Sequence, residues 1–147
     1  MNRYRARLHL RLNHPTRDLS IVCNRLGLKP ARIWKRGDER RTPKGNSLGG
    51  RRASSSCAID FGPTSRKTVA KQIAAALERL EPHRAMLRRL SSTGGTASFS
   101  VGWFLDEDSG ETFSSDLLRA MTRLQIALDL HAYLPDAVEP PEGILER

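Results

Sequence analysis

The chain has 147 residues, 38% apolar and 28% charged, with a formal net charge of +9; that length holds one core of ordinary size, so a single α+β domain over residues 4–134 is expected. Charge interrupts every apolar run, so no window reaches the roughly 20 apolar residues of a membrane span. The opening MNRYRARLHLRLNH lacks the apolar segment and small-residue cleavage site of a secretory signal, so a cytoplasmic protein with no membrane role is expected.

Residues 4–12 alternate strictly, with Tyr4, Ala6, Leu8, Leu10 and Leu12 on one side and Arg5, Arg7, His9 and Arg11 on the other, the pattern of a half-buried strand. After NHPT, where Thr16 or Asp18 can cap, Leu19, Val22, Cys23 and Leu26 recur at helical spacing until Gly27 offers a stop. Pro30 forces an extended exit, and ARIWKRG reads as a brief strand with Ile33 or Trp34 docking inward. A long basic loop at about residues 37–55 follows; its few apolar neighbours cannot offset about 1–2 kcal/mol per residue of backbone ordering, so residues 40–52 are expected to be mobile. SCAIDF alternates again and is closed by Gly62 and Pro63, giving another strand.

From Ser65 onward Val69, Ile73, Ala76, Leu77 and Leu80 form a helical stripe. Pro82 interrupts it, and EPHRAMLRRL restarts as a second segment because proline is tolerated in a first turn. TASFSVGWFL is a strand with Phe99, Val101, Trp103 and Leu105 on one face. Ser114 or Ser115 caps a helix whose Leu117, Leu118, Met121 and Leu124 face the core, and IALDLHAY closes the fold as a strand. Residues 135–147, rich in acid and proline, read as an extended or disordered tail.

The order is a ferredoxin-like βαββαβ unit extended by an αβ: a mostly antiparallel sheet, helices on one face and the other face open. Leu8, Leu10, Ile59, Val101 and Leu128 should then share one core face under the long helix. The landmarks LGLKPARIWKRGD, LERLEPHRAMLRRLSS and FSSDLLRAMTRLQIALDLHAY, in this order, resemble a bacterial family catalogued as domain of unknown function 4279. The resemblance covers residues 4–133; it implies a small α+β bacterial protein and supplies no catalytic residues.

Charge is unevenly spread: residues 1–57 carry 15 Lys and Arg against 3 acids, whereas residues 58–147 carry 10 against 13. Such asymmetry marks a surface for acidic partners or nucleic acid, although the 20 arginines among the 25 cations are equally what a GC-rich coding sequence produces. The candidate anion or partner surface comprises Arg5, Arg7, His9 and Arg11 on the first strand and Arg40, Arg41, Arg51 and Arg52 in the loop, because guanidinium forks grip carboxylate and phosphate. The blander alternative is a solvated face with Arg to Asp cross-strand pairs. His9, Asp129 and His131 have metal-ligand chemistry, but an intervening strand is expected to separate them. Cys23 and Cys57 lack ligand or redox spacing and read as buried small residues.

No GxSxG elbow or GxxxxGK loop is present, so no catalytic residues, metal or cofactor are assigned. The expected function is a non-catalytic binding module for a protein partner, of immunity or regulatory type. The alternative is a nucleic-acid binder using the first-strand face and the loop, with weak binding because aromatics are sparse; a hydrolase ranks third.

Overall fold

The computed structural model describes residues 4–135, and the tail expected at residues 135–147 lies outside them apart from Pro135. The fold is α+β. A five-stranded sheet has the order β2-β5-β1-β6-β7, where β1 is Tyr4–His14, β2 Arg32–Trp34, β5 Ser55–Asp60, β6 Thr96–Leu105 and β7 Ile126–Tyr133. β1 is antiparallel to β5 and β6, β2 is antiparallel to β5, and β7 joins β6 in parallel.

The alternation of β1 sets the layers. Tyr4, Ala6, Leu8, Leu10 and Leu12 are all buried, and they cluster with Cys57 and Ile59 of β5, Phe99 and Val101 of β6 and Ile126 of β7. Four helices complete the same cluster: α1 (Leu19–Leu26), α2 (Val69–Leu80), α3 (Arg84–Ser92) and α4 (Ser115–Arg123). The expected core set is therefore shared, with Leu128 only partly buried against it. Helix boundaries follow their caps. Asp18, Thr68 and Ser114 each accept a backbone N–H of the first turn, and Gly27 ends α1 at φ 68°, a conformation glycine adopts without Cβ strain. Pro82 sits in a single 3-10 turn, Glu81–His83, that joins α2 to α3.

Several expectations differ from the structure. The basic stretch is not an irregular loop. β3 (Glu39–Arg41) and β4 (Ser47–Arg51) pair as a separate two-stranded sheet, turned through Thr42 to Asn46, where Asn46 O accepts Thr42 N–H at 2.8 Å and Thr42 O accepts Gly45 N–H at 2.8 Å. Backbone pairing and a glycine turn shape this stretch, whose strands bury no apolar face. Leu118 is 45% exposed, because α4 turns Leu117, Ala120 and Met121, followed by the cap residue Leu124, toward the core instead. Ile33 is exposed and Trp34 half-buried. Finally, the sheet face away from the helices is not simply open: Ser56, Ala58, Arg11 and Ser100 on it are buried.

Candidate interaction surface

Strand register arranges the outward side chains in rows. Asp60, His9, Ser100 and Asp129 lie opposite one another across β5, β1, β6 and β7; Ala58, Arg11, Ser98 and Ala127 form the next row; Arg7, Gly102 and His131 form the row on the other side. A further row sets Arg5 beside Phe104 and Tyr133, whose rings stack at 4.8 Å and 11°. The Arg5 guanidinium lies 5.7 Å from the Phe104 ring centroid, within cation–π range.

The first-strand cations are largely engaged. Both guanidinium edges of Arg7 address Asp60, with Nε 3.4 Å from Oδ1 and a second, closer contact to Oδ2, and His9 Nε2 is 3.8 Å from the same carboxylate. Burial alone would push the Asp60 carboxyl up. The Arg7 hydrogen bond, the Gly62 N–H at 3.0 Å and the charges of His9 and Arg7 outweigh it, so the group sits below the ordinary carboxylate value. Arg11, 9% exposed, is also engaged. This is the cross-strand pairing that neutralises a sheet face. Arg5, the exposed member of the set, stands over an aromatic pair. β6 stands between β1 and β7, so His9 does not join His131 and Asp129, which lie 3.6 Å apart.

The hairpin offers a different surface. Every residue of β3 and β4 is exposed, and residues 35–52 carry seven Lys and Arg against Asp38 and Glu39. Its base is fixed by Gly37 N–H to Arg52 O at 2.9 Å, Arg52 N–H to Asp38 O at 2.7 Å and Arg36 N–H to Ser55 Oγ at 3.0 Å. The Arg52 guanidinium lies over the Trp34 ring, 3.7 Å from its centroid. Arg41 donates to Glu39 at 2.7 Å and to Gly45 O at 3.0 Å, and Arg51 donates to Gly37 O at 2.8 Å. The Glu39 carboxyl is held below its usual range, first by the Ser47 hydroxyl and then by Arg41 and Arg51. Arg40, Lys44 and Lys35 project outward, exposed, and Arg40 and Lys44 form no ion pair among the described residues.

Two buried polar contacts had no signal of their own in the sequence beyond inward alternation. The Tyr4 hydroxyl donates to Glu111 Oε2 at 2.6 Å and accepts Val69 N–H at 3.0 Å. Burial, the largest influence, and the Glu111 contact push this phenol up to about 12. Cys23 and Cys57, both buried and free, have their sulfurs 3.5 Å apart; the periodicities of α1 and β5 each pointed a thiol inward without revealing that they meet.

A family model described as domain of unknown function (DUF4279) matches residues 2–135. No curated protein and no solved structure matches the chain.

Proposed function

The chain belongs to the DUF4279 family, whose description names no activity, and from the surface of this chain we propose a non-catalytic binding module that docks an acidic protein partner through the basic hairpin. The observation that carries the reading is the hairpin itself: an ordered, wholly exposed two-stranded element with an excess of five positive charges over residues 35–52, set apart from the main sheet. Cations held on a fixed backbone attract carboxylates with little further ordering. Nucleic acid is the weaker fit, because single-stranded bases require aromatic platforms and Trp34 already has Arg52 against its ring. The order β2-β5-β1-β6 supports reading the scaffold as a ferredoxin-like unit, with β7 added beyond β6.

The test compares a labelled glutamate-rich peptide with a labelled single-stranded DNA of equal charge, titrated with the protein at stepped salt concentrations. The double variant Arg40→Ser/Lys44→Ser removes projecting charge and leaves the hydrogen bonds of Arg41, Arg51 and Arg52 intact. Salt-sensitive peptide binding that weakens about 3- to 10-fold in this variant, with DNA no tighter than peptide, is expected for two rim charges. Absence of peptide binding at low salt, or DNA binding well above peptide binding, overturns the reading.

A further inference from the structure

We infer that Cys23 and Cys57 form an oxidisable dithiol, a covalent modification site at which hydrogen peroxide makes an intramolecular disulfide between α1 and β5. The pair is placed by the fold. Cys23 lies on the buried face of α1 with Leu19, Val22 and Leu26, and Cys57 points inward from β5, paired with Leu12 of β1 and Ile33 of β2. Each thiol is 1% exposed and the sulfurs are 3.5 Å apart. A bonded pair sits at about 2.05 Å, so the remaining gap is about 1.5 Å, within reach of side-chain rotation and a small helix shift.

The two thiols are not equivalent. The hydrogen bond shared with Cys57 pulls the Cys23 thiol down against the opposing effect of burial. Cys57 is pushed up by the same hydrogen bond and by burial. Cys23 rides on the short helix whose opening admits peroxide, whereas Cys57 is held in β5 between β1 and β2, so Cys23 is the attacking sulfur and Cys57 the resolving one. The Cys23 thiolate attacks one peroxide oxygen, the O–O bond breaks, and hydroxide leaves with the proton Cys23 had released, giving a sulfenic acid and one water. The Cys57 sulfur then attacks the sulfenic sulfur; the S–O bond breaks, and the departing hydroxide takes the Cys57 proton as a second water. Two thiols lose two electrons in all, and one peroxide gains them. Because both sulfurs are buried, access requires local opening of α1, which has only eight residues. Oxidation should accordingly be slow and independent of protein concentration.

The linkage joins residues 34 apart in sequence and encloses β2, β3 and β4 in one covalent loop. Closing such a loop restricts the unfolded chain, and a domain of this size should gain roughly 5–15 °C in melting temperature on oxidation.

The reduced wild-type protein, freed of reductant, is treated with hydrogen peroxide and then denatured with an alkylating agent present. The expected result is loss of both free thiols, an intact mass lower by two hydrogens, a cross-linked pair of peptides containing Cys23 and Cys57, and reversal by dithiothreitol. In Cys57→Ser a sulfenic acid at Cys23 should be trapped by dimedone, whereas in Cys23→Ser the Cys57 thiol should resist. Persistence of both thiols in the wild type, sulfinic acids without a cross-link, disulfides only between chains, or equal reactivity of the two single variants overturns the inference. The wild-type arms do not depend on either variant folding.

Discussion

Replacing Tyr4 by Phe tests whether the start of α2 is held by one phenolic oxygen. Tyr4 is 2% exposed, and its ring meets Trp103 edge to face at 5.3 Å and 87°; phenylalanine keeps that contact and deletes the hydroxyl alone. Val69 N–H, the first of α2 and buried, loses its acceptor, an orphaned donor costing about 1–3 kcal/mol. Glu111 loses the donor at 2.6 Å; a bond to a charged acceptor is worth about 1.5–3 kcal/mol, but half-buried Glu111 recovers part of it from water. The net is about 2–4 kcal/mol. With an unfolding entropy near 2.1 cal/mol/K per residue over 147 residues, melting at neutral pH should fall by about 6–13 °C. The alkaline limb provides a second reading. A folded phenol at about 12 against about 10 unfolded contributes stability that is whole below pH 10 and is lost as pH rises through 12. The variant should lack that decline, and phenolate absorbance should lose its late-titrating component. A fall of less than about 2 °C, beneath what one orphaned donor costs, would refute the reasoning, as would additive effects in a double-mutant cycle with Glu111→Gln.

Gly95→Ala should destabilise by about 1–3 kcal/mol or more in chemical denaturation, because the added Cβ would lie 2.8 Å from Leu90 Cγ and Leu90 O and 2.9 Å from Asn13 O, two of them backbone atoms; a neutral effect would contradict that packing. Asp60→Asn should lower stability at pH 7. Since the folded carboxyl sits below its ordinary value, its contribution is present above pH about 3.9 and lost as pH falls through the folded value, so urea titrations of wild type and variant should converge in acid. Leu124→Ala should cost about 2–5 kcal/mol and Leu118→Ala less than about 0.5 kcal/mol, the contrast expected from 0% and 45% exposure. Arg52→Ser should lower the hydrogen-exchange protection of residues 39–51 more than Arg40→Ser does, because Arg52 alone of the two stands on Trp34; equal protection in the two variants would count against an anchored hairpin.

What was legible in the sequence is what periodicity and capping determine locally. β1 could be read because five inward residues alternate with four long polar ones, and a slip by one would bury Arg7 and expose Leu8. α1 was bounded by Asp18 and Gly27, which carry their own conformational preferences. The hairpin was missed for a physical reason. Its two strands bury nothing, so no hydrophobic alternation marks them, and composition alone described a chain too polar to order. The usable signal was the turn PKGN, with Gly45 at φ 90° between flanking segments able to pair. On the candidate surface, sequence spacing placed Arg7 and Arg11 outward but could not show that Asp60 arrives opposite His9 to hold Arg7, since that depends on the pairing of strands 40 residues apart.

A two-stranded hairpin that buries no apolar face is marginal by itself, so the order of β3 and β4 has to come from their base. There the backbone pairs of Gly37 and Asp38 with Arg52, the Arg36 N–H on Ser55 and the Arg52 guanidinium on Trp34 tie the hairpin to the ends of β2 and β5, strands that are themselves paired through Ile33 and Cys57. Cys57 touches Cys23, so the hairpin base, the edge of the sheet and α1 form one connected structure. The cations therefore divide by task. Arg41, Arg51 and Arg52 spend their donors or faces within the hairpin and its base, while Arg40 and Lys44 project their charge outward. Order and charge are carried by different side chains, so the acidic partner proposed above would meet a backbone already fixed at the tip, at a lower entropic cost of docking.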